Sequence, residues 1–182
     1  MIKRLLLSCA FLLALTAAYA QHNAGHNGKI LMIASNQSVS KQTGWPIGVW
    51  YAELTHPYWA FSEAGYTVDI ATPEGGALFF DSFSDPEDAS GYSAFDYISL
   101  GFKKDSARMA MTRNTKKLSD VNPADYKAIF VCGGQGPMYT FYKNPQVEKF
   151  FADFYQSGKP TAAICHGKIG RASCRERVLY TV

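Results

Sequence analysis

Four short apolar runs, each of strand length, most constrain what this chain can fold into. They lie at residues 29–35, 66–71, 125–132 and 160–164, and longer stretches with loop composition or helical periodicity separate them. Nearly continuous apolar runs suit strands of a parallel sheet that is covered on both faces. Because strands that alternate with helices form βαβ units, the sequence predicts an α/β fold with a doubly wound, mostly parallel sheet and flanking helices.

The segments between the runs indicate two helices and one irregular insertion. Apolar and aromatic residues recur at spacings of three and four over 49–64, which predicts a helix that Pro57 kinks or restarts. Residues 144–157 form a second amphipathic pattern, which Gly158 ends. Residues 77–122 are the least regular, and we expect them to be an insertion over the sheet edge that could act as a lid.

The first 20 residues have the pattern of an export signal. Lys3 and Arg4 precede an apolar stretch, and residues 18–20 read Ala-Tyr-Ala, as at a signal-peptidase site. An uncleaved membrane anchor is the alternative, although the apolar stretch is shorter than the roughly 20 residues that span a bilayer. We expect cleavage, a flexible lead-in over 21–28, a periplasmic or secreted protein, and no stable membrane association afterwards.

The last 14 residues, 169–182, show neither an amphipathic period nor core residues. The segment resembles the in-frame translation of a short sequencing adapter, and a genuine basic tail is the alternative. We expect the native sequence to end near Lys168, so that residues 29–168 form one partial domain. The whole chain carries 18 basic and 15 acidic residues, but five of the basic and one of the acidic ones lie in the two ends. The remaining 13 basic and 14 acidic residues give no indication of a nucleic-acid partner.

The fourth apolar run ends in Cys165, His166 and Gly167, which is the pattern of a nucleophile elbow. Such a sharp strand-to-helix turn needs small neighbours and exposes the nucleophile above the sheet. A sulfur beside a helix N-terminus is favoured as the reactive thiolate. Between the predicted domain's two cysteines, we expect Cys132 to be buried and Cys165 to be reactive, with a disulfide between them as the alternative.

A glycine-rich turn, Gly-Gly-Gln-Gly at 133–136, follows Cys132 at the end of the third apolar run. It matches neither the dinucleotide-binding nor the P-loop motif, so we expect no nucleotide cofactor. Sites in such sheets lie beyond the carboxyl ends of the strands, where this turn meets the elbow. The N–H groups of Gly134 and His166 could therefore form an oxyanion hole. A tight turn without a catalytic role is the alternative.

Spaced motifs across residues 29–167 carry a resemblance to a known family. They are TG at 43–44, ELTHP at 53–57, GYTVD at 65–69, TPEG at 72–75, DY at 125–126, GGQG at 133–136 and AICHG at 163–167. Together they resemble the ThiJ/PfpI superfamily of the class I glutamine amidotransferase-like fold, which is flavodoxin-like. Within it, the chain is most similar to the branch of heat-shock chaperones and glutathione-independent glyoxalases.

The resemblance implies that Cys165 is the nucleophile and that Glu53 is a protonated carboxyl group beside its sulfur. A poorly solvated carboxyl group has the raised pKa that this role requires. His166 would be a base or an imidazolium partner, oriented by an acidic residue downstream of the elbow. The sequence given has no residue that matches this acidic group, so we expect the 182-residue chain itself to be inactive and the sheet to be incomplete. Gln135 stands where several glyoxalase members have histidine.

The activity implied is the cysteine-dependent conversion of small 2-oxoaldehydes, such as methylglyoxal, to 2-hydroxy acids. It needs no glutathione, nucleotide or metal, and a metal site at Glu53 and His56 is disfavoured because Pro57 disrupts their helix. One alternative is a cysteine peptidase or amidase. Another is a holdase chaperone or oxidative-stress sensor, which five aromatic residues motivate: Trp45, Trp50, Tyr51, Tyr58 and Trp59. We expect a small carbonyl substrate, and a homodimer is compatible with the family.

Overall fold

A five-stranded parallel sheet forms the centre of the molecule, which a computed structural model describes over residues 27–172. The strands, in chain order, are β1 (Lys29–Ile33), β2 (Thr67–Thr72), β3 (Lys116–Lys117), β4 (Ala128–Val131) and β5 (Thr161–Ala163). Their spatial order is β3-β2-β1-β4-β5, and every neighbouring pair is parallel. The predicted parallel α/β fold is therefore confirmed. The proposed export signal and most of the 169–182 segment lie outside the described residues.

Six helices flank this sheet within the described residues. They are α1 (Tyr51–Glu63), α2 (Tyr97–Lys104), α3 (Ser106–Arg113), α4 (Gly136–Thr140), α5 (Pro145–Gln156) and α6 (Lys168–Ala172). Short 3-10 turns at Ser82–Ser84, Leu118–Asp120, Pro123–Asp125 and Cys165–Gly167 complete the connections. Within 27–172, no helix is both long and apolar enough to cross a membrane.

Both faces of the sheet are buried, as the continuous apolar runs predict. Successive residues of β1 point to opposite faces, so that Leu31 and Ile33 pack in one cluster with Phe150, Phe151 and Phe154 of α5. Met32 packs in the second cluster, on the α1 side. Because all three β1 residues have no exposed surface, the first strand is the central element of the core.

Helix α1 is continuous through Pro57, so the proline does not restart it. The helix runs from Tyr51 to Glu63 with Pro57 inside. A proline removes one backbone hydrogen bond from the helix interior and costs roughly 3 kcal/mol. Leu54 and Thr55 are fully buried one turn earlier. We attribute the continuity of the helix to this tertiary packing, which commonly outweighs local propensity.

The segment predicted as an insertion over the sheet edge contributes to both the sheet and the core. It contributes β3, which pairs with β2 and becomes the outermost strand on that side. It also contributes α2 and α3, and the side chains of Phe102 and Leu118 are almost completely buried. Its apolar residues are too widely spaced in the sequence to show a strand or helix period.

A difference from the prediction lies just after the elbow, where the sequence predicts no helix. Residues 168–172 are helical, and Gly170 is buried against α5. A Cβ atom at Gly170 would lie 2.7 Å from the Phe151 ring, so close packing explains this glycine. Five residues are too few to display a helical period. The expected end of the native sequence near Lys168 stays a prediction.

Candidate active site

Cys165 lies on a sharp turn directly beyond β5. Its φ is 51°, a conformation that non-glycine residues rarely adopt, and its side chain is exposed. Gly167 follows two residues later, and a Cβ atom there would lie 2.7 Å from the carbonyl oxygen of Val131. The turn can therefore pack against the end of β4 only with glycine at this position. This geometry is that of the elbow predicted from the sequence.

The imidazole of His166 lies beside the sulfur of Cys165. Its Nδ1 atom is 3.6 Å from Sγ of Cys165 and 3.0 Å from the carbonyl oxygen of Gly134. A carbonyl oxygen can only accept, so the second contact is a hydrogen bond when Nδ1 carries the proton. In this tautomer Nδ1 can donate to a thiolate but cannot take a proton from the thiol. Two roles were expected of His166, a base or a hydrogen-bonding partner of the thiolate. The geometry favours the second.

Glu53 reaches the same point from the first turn of α1. Its Oε2 atom accepts a 3.0 Å hydrogen bond from the N–H of Gly134, and its carboxyl group faces the side chain of Cys165. Partial burial raises the pKa of Glu53 above its ordinary value, while the hydrogen bonds from Cys165 and Gly134 and the charge of His166 oppose that shift. The structure therefore brings together Glu53, Cys165 and His166.

The glycine turn at 133–136 lies between these side chains. A Cβ atom at Gly133 would contact Oε2 of Glu53 and would lie 2.7 Å from Cβ of Cys165. Gly134 has a φ of 82°, and a Cβ atom there would collide with the carbonyl oxygen of Gly48. Both glycines are therefore required by close approach. The N–H of Gly134 is bonded to Glu53, so it can serve a substrate oxyanion only after that carboxyl group moves, and its oxyanion role stays a prediction.

The second cysteine of the described chain, Cys132, has a different environment. It is completely buried at the end of β4, and this burial raises the pKa of its thiol well above the ordinary value. Among the described residues, Cys132 and Cys165 are both free thiols. The arrangement matches the expected buried and accessible cysteines, and the alternative disulfide does not form here.

Other candidate residues take structural positions. The Nε2 atom of His56 is 2.7 Å from Oδ1 of Asp96, which makes an ion pair when His56 is protonated. Over residues 27–172, no three His, Cys, Asp or Glu side chains form a group that could hold a metal ion. Gln135 is exposed immediately before α4. Of the aromatic candidates, Trp45 and Trp59 are exposed, whereas Tyr51 is buried and stacks on Phe80 with 3.6 Å between ring centroids.

The sequence analysis missed the residues that hold the start of α1. Tyr51 donates its backbone N–H to the side chain of Ser84, 33 residues away and in an irregular segment. No local motif links the two, because the contact depends on tertiary structure alone. The contact becomes visible only when the position of residues 77–122 in the folded protein is known.

The fold and site define a class of α/β proteins with an accessible cysteine at a strand-to-helix turn and a carboxyl group facing it. A sequence model of the DJ-1/PfpI family matches residues 48–175. The chain belongs to the DJ-1/PfpI family.

Curated relatives are identical to the chain at about a quarter to a third of the aligned residues. It is 32% identical over 138 residues to a probable glutathione-independent glyoxalase of Schizosaccharomyces pombe, covering 66% of this chain and 53% of that protein. It is 26% identical over 140 residues to glyoxalase 3 of Candida albicans, covering 76% and 57% of the two chains. The chain thus spans about half the length of the curated relatives that it matches.

Solved structures agree with the fold. The 24 kDa rapid encystment protein of Francisella tularensis superposes with a TM-score of 0.70 at 28% identity, covering 82% of this chain and 63% of that one. Glyoxalase III of Candida albicans superposes with a TM-score of 0.61 at 25% identity, covering 81% and 60%. The resemblance to the ThiJ/PfpI proteins and their glyoxalase branch, inferred from the motifs, is confirmed at this level of homology.

Proposed function

We propose that the protein converts small 2-oxoaldehydes, such as methylglyoxal, to 2-hydroxy acids by a cysteine-dependent reaction without glutathione. One observation carries the proposal: the half-buried carboxyl group of Glu53 faces the side chain of Cys165 across Gly133, where a single Cβ atom would meet both. Because burial raises its pKa, this carboxyl group keeps a proton to higher pH than an exposed glutamate does, and it can pass that proton to a reacting carbon or oxygen.

The chemistry begins at the exposed sulfur. The thiolate of Cys165 adds to the aldehyde carbon, which forms a C–S bond, and the carbonyl oxygen takes a proton to give a hemithioacetal. Removal of the proton from this carbon gives an enediol, and return of a proton to the neighbouring carbon gives a thioester of the 2-hydroxy acid. Water then cleaves the C–S bond and releases the acid and the thiol. No electrons enter or leave, so the scheme needs no redox partner.

The residues at the site suit these steps in different ways. Glu53 faces the side chain of Cys165 and so lies near any carbon bonded to the sulfur, which suits proton transfer between the two carbons. His166, with its proton on Nδ1, suits stabilisation of the thiolate before attack. The names of the Schizosaccharomyces pombe and Candida albicans relatives support the same substrate class.

The test is D-lactate formation from methylglyoxal by the full-length gene product, with glutathione absent. We expect activity in the wild type, loss of activity in Cys165→Ser, and retained activity in Cys132→Ala, which removes the buried thiol of the neighbouring strand. Wild-type rates in Cys165→Ser would contradict the proposal. A covalent acyl-enzyme formed from an activated amide, without lactate, would favour a peptidase or amidase instead.

A further inference from the structure

We propose that Ser84 and Ser99 are positioning residues that hold the turn of α1 carrying Glu53 against Cys165. Both lie between β2 and β3, in the segment that the sequence suggested as a lid. The inference rests on the proposed role of Glu53 and deepens it, by assigning the set of contacts that keeps this carboxyl group in place.

Ser84 caps the N-terminus of α1, where the residue at the N-cap position does not. The first N–H groups of a helix have no partner within the helix. In the described structure, the side chain of Trp50, at the N-cap position, makes no capping hydrogen bond. Oγ of Ser84 accepts the N–H of Tyr51 at 2.9 Å and donates to the carbonyl oxygen of Asp81 at 2.7 Å. Ser84 is only 1% exposed, so water does not replace this bond.

The chain around Ser84 is fixed to the loop just before α1. The N–H of Val49 donates to the carbonyl oxygen of Phe79, and the N–H of Asp81 donates back to that of Val49, both at 2.9 Å. A Cβ atom at Gly48 would lie 2.5 Å from the nitrogen of Asp81, so the two backbones are in direct contact. Movement of Ser84 would therefore move the start of α1.

Ser99 holds the other side of the same helical turn. Its Oγ atom lies 2.7 Å from Oγ1 of Thr55, and both residues are completely buried. Ser99 also donates to the carboxylate of Asp96 at 2.5 Å, which fixes its rotamer. Thr55 donates in turn to Ser99 or to the carbonyl oxygen of Tyr51.

The two serines thus bracket Glu53. Tyr51 and Thr55 lie two residues before and two residues after it, and each is bound by one serine. Because reacting groups must be held within about an ångström of their productive geometry, a shift of 1 Å can cost about 100-fold in rate. The irregular segment is therefore the support of the proton-transferring carboxyl group.

The experiment follows Cys165 directly, so that it does not depend on the substrate. The rate of alkylation of Cys165 by iodoacetamide is measured against pH, and the modified residue is identified by mass spectrometry. Glu53→Gln defines the profile without the acidic proton. We expect Ser84→Ala and Ser99→Ala to move the wild-type profile part of the way toward that of Glu53→Gln. We also expect kcat for lactate formation to fall about tenfold while KM changes little.

Thr72→Val is the matched control, since it removes a buried hydroxyl group that is 2.7 Å from Thr115 at the far side of the sheet. Its profile should equal that of the wild type even if its melting temperature falls. An unchanged profile in both serine variants would overturn the inference. If Ser84→Ala does not fold, Ser99→Ala carries the same comparison. A shifted profile in a protein that makes no lactate would contradict the proposed function and leave the positioning role intact.

Discussion

The Nδ1 atom of His166 lies 3.0 Å from the carbonyl oxygen of Gly134, so the imidazole is fixed across the end of β4 rather than turned freely into solvent. A proton on Nδ1 is shared between this oxygen and the sulfur of Cys165, so Nδ1 is not free to accept one. Glu53 is then the group best placed to give and take protons beside Cys165, because its carboxyl group faces that side chain and has a raised pKa.

Glu53→Gln should abolish most of the activity without unfolding the protein. Glutamine keeps an acceptor for the N–H of Gly134 but cannot transfer a proton. Loss of general acid–base catalysis lowers rates by about 10²–10⁴-fold. Steady-state kinetics of lactate formation measure this effect. Glu63→Gln, at the exposed last position of α1, is the control and should retain wild-type kinetics. Equal kinetics in the two variants would contradict the assigned role of Glu53.

The stability of the wild type should depend on pH through Glu53. Because burial raises its pKa in the folded state, the folded protein holds a proton at pH values where the unfolded chain has lost it. Stability therefore falls as pH rises from the ordinary value of 4.5 through the raised value. Glu53→Gln lacks this dependence. Between pH 4 and pH 8, the melting temperature of Glu53→Gln should rise relative to that of the wild type as pH increases. A variant whose relative melting temperature rises toward acid pH instead would contradict this prediction.

Gly133→Ala should disturb both sides of the site. The new methyl group would meet the carboxyl oxygen of Glu53 and Cβ of Cys165 at 2.7 Å. Overpacking of this kind costs about 1–3 kcal/mol. We expect a lower free energy of unfolding in urea and slower alkylation of Cys165. Gly101→Ala, on the exposed side of α2 with open space around it, should instead stabilise the protein by about 0.5–1 kcal/mol.

Substitution of Cys165 by glycine should relieve the backbone strain at this position. Its φ of 51° costs an L-residue roughly 1–2 kcal/mol, which glycine does not pay. Cys165→Gly should therefore unfold at higher urea concentration than Cys165→Ala, although both lack the thiol. If the alanine variant were equally stable or more stable, the strain at the elbow would be absent.

The two thiols should differ strongly in reactivity. Cys165 is exposed, whereas Cys132 is fully buried and its pKa is raised by that burial. Of these two described cysteines, brief iodoacetamide treatment at pH 8 should modify only Cys165 in the folded protein and both in urea, as peptide mass spectrometry can quantify. Early modification of Cys132 under native conditions would show that β4 is accessible.

The sequence was sufficient to predict the strands and helices whose apolar pattern reflects burial in the core. Strands β1, β2, β4 and β5 and helices α1 and α5 follow from apolar patterns, since each contributes apolar residues to the core or packs them against it. Strand β3 could not be predicted, because it consists of two exposed lysines and so has no apolar pattern. The continuity of α1 through Pro57 likewise depends on core packing that local rules do not include.

The residues of the candidate site likewise divide into those that the sequence predicts and those that it does not. Cys165, His166 and Gly134 are adjacent to strand ends, so topology alone predicts that they meet. Glu53 came from the resemblance to the ThiJ/PfpI proteins, and the structure places it at the sulfur. Ser84 and Ser99 gave no signal, because a serine in an irregular segment is ordinary until its distant partner is known.

The three-residue strand β5, which carries the cysteine turn, pairs with β4 and is the last strand of the described sheet on that side. It therefore has neighbours on one side only, whereas β1 is paired on both. Fluctuations that detach β5 should require less free energy than global unfolding. Amide hydrogens of 161–163 should accordingly exchange with deuterium sooner than those of β1, and the nucleophile would be carried by one of the least protected parts of an otherwise rigid core.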